Sequence, residues 1–116
     1  MVKIYHLSTC STCKRIIEEI GKDKFDLFQD IKTEKITEEQ IDEMQSLVGS
    51  YEALFSRRSR QFRPMGLHEK DLSENDYKSL ILQEYSFLKR PVIIANNKIF
   101  VGNSKKEVEK AKEALG

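Results

Sequence analysis

Apolar and polar positions change period several times along the chain, and each change marks an element. Val2-Lys3-Ile4-Tyr5-His6-Leu7 is a short run rich in β-formers and reads as a first strand. Cys13, Ile16, Ile17 and Ile20 then recur at helical spacing, and Gly21 supplies a stop. Phe25-Asp26-Leu27-Phe28-Gln29-Asp30-Ile31 reads as a second strand after a short turn. Strand, helix, strand at this spacing predicts a βαβ unit with parallel strands and a right-handed crossover.

The middle of the chain is helical in pattern and carries little strand signal. Thr37-Glu38-Glu39-Gln40 is a capping box, followed by the apolar stripe Ile41, Met44, Leu47 and Val48, and Gly49 ends that helix. Tyr51, Leu54 and Phe55 predict a short helix after it. Ser73-Glu74-Asn75-Asp76 opens another, buried through Tyr77, Leu80, Ile81 and Leu88. Together they predict a helical subdomain inserted over about residues 33–88. Strand signals return at Pro91-Val92-Ile93-Ile94-Ala95. Asn96-Asn97 tolerates left-handed backbone, so Lys98-Ile99-Phe100-Val101 should pair back as a hairpin. After Gly102-Asn103, Ser104-Lys105-Lys106-Glu107 caps a last helix with Val108, Ala111 and Leu115 inward. The order βαβ, helical insert, ββα predicts an α/β fold. It is a thioredoxin-like mixed four-stranded sheet within one domain, residues 1–116, interrupted by the insert.

Composition narrows the function classes. A length of 116 residues fits one core, and 39% apolar with 34% charged residues is ordinary for a globular domain. A net charge of +1 gives no global field to recruit nucleic acid or an acidic membrane. No stretch approaches the roughly 20 apolar residues of a membrane span, and no signal-peptide pattern opens the chain. A cytoplasmic location is therefore expected, where a cysteine pair is catalytic or sensory rather than a permanent staple.

Both cysteines lie in Cys10-Ser11-Thr12-Cys13, at the junction of the first strand and first helix. A thiol there faces free backbone N–H groups and the positive end of the helix dipole. Such cysteines can have pKa values of roughly 3.5–7.5 instead of about 8.5. Cys13, one turn on, can reach back, which makes Cys10 the attacking sulfur and Cys13 the resolving one of a redox disulfide. The bland alternative is a pair of buried thiols packed as small hydrophobes. One cysteine pair excludes a four-cysteine zinc site, and His6 and His68 complete no common ligand spacing, so no metal is expected. His6 reads either as a packed strand residue or as an imidazole tuning Cys10. The basic run Arg57-Arg58-Ser59-Arg60-Gln61-Phe62-Arg63 reads as one arginine turned toward the cysteine pocket with the rest solvated. Direct nucleic-acid binding by this run is not expected: Glu52, Glu69 and Asp71 flank it, and only Phe62 offers a stacking surface.

With these parts assembled, the chain resembles the arsenate reductase/Spx family from Lys3 to about Leu115. The resemblance is carried by Ile4-Tyr5-His6 followed by Cys10, by Leu54-Phe55-Ser56-Arg57-Arg58-Ser59, and by Lys89-Arg90-Pro91-Val92-Ile93-Ile94. It implies a cis Arg90–Pro91 bond beside the active cysteine. It also implies Cys10 as nucleophile, His6 as the nearby imidazole and Arg90 as one oxyanion ligand. A second arginine maps onto Arg58, or onto Arg57 if the alignment slips by one residue. Planar guanidinium forks suit a tetrahedral oxyanion, and Lys14 and Arg15 add positive potential. Ser11, Thr12 and Pro91 complete the implied substrate-binding surface. Two positions depart from arsenate-reducing members: Gly102 stands where they carry a further arginine, and Cys13 where glutathione-coupled members have serine. Spx regulators do carry Cys-x-x-Cys and sense oxidation with it, and Gly49 falls where they have a glycine that docks RNA polymerase.

The resemblance thus implies a thiol–disulfide enzyme whose Cys10 attacks arsenate or a disulfide and whose Cys13 resolves the adduct. Its substrate would be a small oxyanion or a thiol compound. No bound cofactor is implied, and glutathione, glutaredoxin or thioredoxin would serve as external reductant. The alternative it implies is an Spx-like redox-sensing transcriptional regulator that binds the RNA polymerase α subunit.

Overall fold

The computed structural model describes residues 1–116. The strands are β1 (Val2–His6), β2 (Leu27–Asp30), β3 (Val92–Ala95) and β4 (Lys98–Val101). The helices are α1 (Ser11–Ile20), α2 (Glu38–Val48), α3 (Glu74–Gln83) and α4 (Lys105–Leu115). The chain divides into two compact units, one of residues 1–34 with 90–116 and one of residues 35–89.

The first unit is a four-stranded mixed sheet in the order β2-β1-β3-β4, with β1 parallel to β2 and antiparallel to β3. β3 pairs antiparallel with β4 through the turn at Asn96, whose φ of 59° is the left-handed geometry that asparagine tolerates. Position in the sheet explains composition. Interior β3 is buried at all four residues, Val-Ile-Ile-Ala, whereas β2 at the edge leaves Leu27 and Phe28 half-exposed. Ile4, Ile16, Ile17, Ile20, Phe25, Ile93, Phe100, Val108 and Ala111 form the core of this unit. Each large side chain among them contributes about 1.5–3 kcal/mol of burial.

One local expectation changes here. Regular β2 is shorter than the run from Phe25 to Ile31, because Phe25 leaves a single 3₁₀ turn at Lys22–Lys24 and drops into the core. Ser104 caps the last helix as expected, without the reciprocal bond of a capping box. Ser104 accepts from the Glu107 N–H at 3.2 Å, but the Glu107 carboxylate accepts from the Val101 N–H at 3.1 Å. The neighbouring Gly102 N–H points into the fold, to the Pro91 carbonyl at 2.9 Å. By strand alternation the Val101 N–H points outward from edge strand β4, and the carboxylate satisfies it.

The second unit is built from α2, α3 and short 3₁₀ turns. Thr37 with Gln40 and Ser73 with Asp76 form reciprocal capping boxes, and Gly49 (φ 106°) closes α2 with its N–H on the Gln45 carbonyl. Ile41 and Met44 are buried on α2, but Leu47, Val48 and Leu80 are only partly buried. Leu88 is fully buried yet lies beyond α3, in a bridge opposite Phe55. The core is aromatic: Phe55 stacks on Phe87 at 5.0 Å and meets Tyr77 at 4.9 Å. No helix of the chain is long and apolar enough to cross a membrane.

Candidate redox-active site

The β1–α1 connection places the sulfurs. A tight turn, with the Cys10 N–H on the Leu7 carbonyl at 2.9 Å, delivers Cys10 to the position just before α1. Its backbone is extended (φ −93°, ψ 114°), so the first-turn amides of α1 lie open on the side of the cysteine. The two cysteines occupy different surroundings: Cys10 is partly exposed, and Cys13 on the inner face of α1 has no exposed surface.

That difference separates their acidities. Partial burial pushes the Cys10 thiol up, but the N–H and S–H of Cys13, the N–H of Thr12 and the Arg90 charge outweigh it. Cys10 is held below the ordinary thiol value. The neutral thiol makes no hydrogen bond of capping geometry; the amides act by stabilising charge on the sulfur. Burial pushes Cys13 up to about 11, and charge on Cys10 adds to this, while the Leu7 N–H and Arg90 oppose it. The arrangement is asymmetric: an ionisable sulfur that solvent reaches, and a protonated one beneath it.

Arg90 and the buried Pro91 are joined by a cis peptide bond, and the Arg90 charge bears on both sulfurs. The Pro91 carbonyl is held by the Gly102 N–H. Gly102 has φ 91°, a left-handed position that disfavours any side chain although space around it is open. Ser11 is exposed and Thr12 partly exposed in the first turn of α1. His6 turns its ring edge-on to Phe28 at 6.0 Å. Burial holds its imidazole below the ordinary value against the opposing charge of Asp30, and His6 is not among the groups that set Cys10.

The two candidate arginines of the basic run lie in the helical unit and differ. Arg57 donates to Glu52 at 3.0 Å and to the Tyr77 hydroxyl at 2.9 Å, with its guanidinium carbon 5.7 Å from the centre of the Tyr77 ring. Arg58 is exposed. No group of three or more His, Cys, Asp or Glu side chains converges to hold a metal ion.

One residue at the site escapes sequence reasoning. Asp30, at the end of β2, accepts hydrogen bonds from the backbone and hydroxyl of Ser8 in the cysteine loop. The signal was present as an aspartate at a strand end, but its partner is 22 residues away in the chain. An arrangement of this kind supports attack by Cys10 on an electrophilic sulfur or oxyanion, followed by closure onto Cys13.

Comparison with known proteins gives the family and the fold. The global transcriptional regulator Spx of Lactiplantibacillus plantarum is 27% identical over 113 residues, covering 95% of this chain and 85% of that protein. The solution structure of an arsenate reductase (ArsC) related protein from Brucella melitensis is similar with a TM-score of 0.70 and 28% identity, covering 94% of this chain and 92% of that one. An arsenate reductase from Vibrio cholerae shares the fold, with a TM-score of 0.78 at 15% identity over 97% of this chain and 96% of its own. The ArsC family itself matches residues 5–111, nearly the whole sequence, and the chain belongs to that family.

Proposed function

We propose that the chain is a thiol–disulfide redox protein that uses Cys10 as nucleophile and Cys13 as resolving thiol. The observation that carries this reading is the split between a partly exposed sulfur of lowered pKa and a fully buried one of raised pKa, three residues apart. Cys10 thiolate attacks a disulfide sulfur, expelling one thiolate, or attacks arsenate, expelling water after proton uptake. Cys13 then gives up its proton and attacks the Cys10 sulfur. The Cys10–Cys13 disulfide forms as the bound partner leaves as a thiolate, or as arsenite carrying the two electrons. Two thiol equivalents from glutathione, glutaredoxin or thioredoxin restore the dithiol. Arg90 stabilises charge on Cys10 and on the adduct. Of the two arginines in the basic run, Arg58 is the proposed oxyanion ligand, since the Arg57 guanidinium is held by Glu52 and Tyr77.

A second reading has its own support: the similarity to Spx extends over 95% of this chain. In that reading the same disulfide is a switch for binding the RNA polymerase α subunit, without turnover. Steady-state arsenate reduction with a thiol regenerating system separates the two. Turnover that disappears in Cys10→Ser supports the enzyme. Absence of turnover together with disulfide-dependent retention of the α subunit supports the regulator.

A further inference from the structure

We propose that Asp30 is a positioning residue for Cys10: its carboxylate pins the Ser8 turn and thereby sets how the sulfur meets the α1 amides. The inference rests on Cys10 being the reactive thiol, as proposed above. Asp30 Oδ1 accepts from the Ser8 N–H at 3.4 Å and from the Lys32 N–H at 3.2 Å, while Oδ2 accepts from the Ser8 hydroxyl. One carboxylate thus joins the end of β2 to the loop that carries the nucleophile.

Its base is rigid. Asp30 lies opposite His6 in the β1–β2 ladder, and the Ile31 N–H donates to the His6 carbonyl at 2.9 Å. The Asp30 carbonyl accepts from the Glu34 N–H at 2.8 Å and from the Thr33 hydroxyl at 3.4 Å, which closes the following turn. The Cys10 N–H bond to the Leu7 carbonyl closes the same loop, but Ser8 and Thr9 at its tip are exposed, so burial does not fix them. Ser8 hydrogen bonding holds the Asp30 carboxyl below the usual range, so the clamp is anionic at neutral pH. Asp30 is not among the charges acting on Cys10, so its influence travels through geometry.

This yields a test by sign. Loss of a nearby negative charge makes a thiolate easier to form, whereas loss of alignment with the helix amides makes it harder. Iodoacetamide alkylation of Cys10 on the acid side of its inflection, where the rate follows the thiolate fraction, reads the difference when mapped by mass spectrometry on the full chain. Asp30→Ala is expected to slow alkylation by about threefold, the middle of the range for a helix-terminus interaction. Asp30→Asn keeps Oδ1 for the two amides and should stay close to wild type. Ser8→Ala, in an exposed loop, should slow the reaction less than Asp30→Ala and serves if that variant does not fold. Unchanged rates in Asp30→Ala and Ser8→Ala, or faster rates in both Asp30 variants, overturn the positioning role. A wild-type rate no faster than that of an unfolded cysteine peptide overturns the functional reading itself.

Discussion

The sheet unit and the helical unit use charged side chains in opposite ways. In the sheet unit, Arg90 and Asp30 bear on the cysteine pair and its loop, while an aliphatic core holds the framework. In the helical unit the charges tie the unit to itself. Lys78 bridges Glu38 at 2.9 Å and Asp42 at 3.0 Å, and Tyr51 donates to Asp42 at 2.6 Å. Glu74 accepts from the Tyr51 and Glu52 N–H groups, and Arg57 is shared between Glu52 and Tyr77. The lesson is that charge density does not locate chemistry. The run with four arginines already has one committed to structure, whereas the charge of the single arginine before Pro91 bears on both cysteine sulfurs.

That contrast can be broken from either side. The largest expected effect is on the aromatic core: Phe55→Ala should cost about 3–5 kcal/mol in urea unfolding, as for other fully buried phenylalanines. A loss under about 1 kcal/mol would mean that the stacked cluster does not organise this unit. Next comes Arg90→Met, which removes a cation from both thiols. Cys10 alkylation near neutral pH should slow and its inflection move to higher pH, with Arg90→Lys in between. An unchanged profile would detach Arg90 from the site. Thr37→Ala, which removes one capping box, is expected to cost about 1 kcal/mol in the same unfolding experiment. Smallest is Arg57→Met. Its pair with Glu52 is half-exposed, so the expected loss of stability is within about 1 kcal/mol, with Cys10 reactivity unchanged. Slowed Cys10 alkylation in that variant would erase the distinction between the two uses of charge.

Much of this was legible in the sequence because it is local. The strand-to-helix cysteines, the Thr37 capping box and the Asn96 turn each rest on residues within a few positions of one another. What was not legible depends on partners brought together by the sheet or by helix packing. Glu107 carries the capping-box letter but serves Val101, because β4 proves to be an edge strand. The Arg57 guanidinium meets Tyr77, 20 residues away, a contact that no local pattern gives. Phe25 has strand propensity, yet the turn before it sends its ring into the core. Asp30 reads as an ordinary strand end until Ser8 is beside it.

The central claim is that Cys10 ionises readily and Cys13 does not, and a mass-mapped alkylation titration of both thiols in the reduced, folded protein tests it most directly. Cys10 should react first, with an inflection below the value of about 8.5 for a free thiol, while Cys13 stays unmodified until strongly alkaline pH. Equal labelling of the two cysteines, or a Cys10 inflection at or above the free-thiol value, would contradict the account.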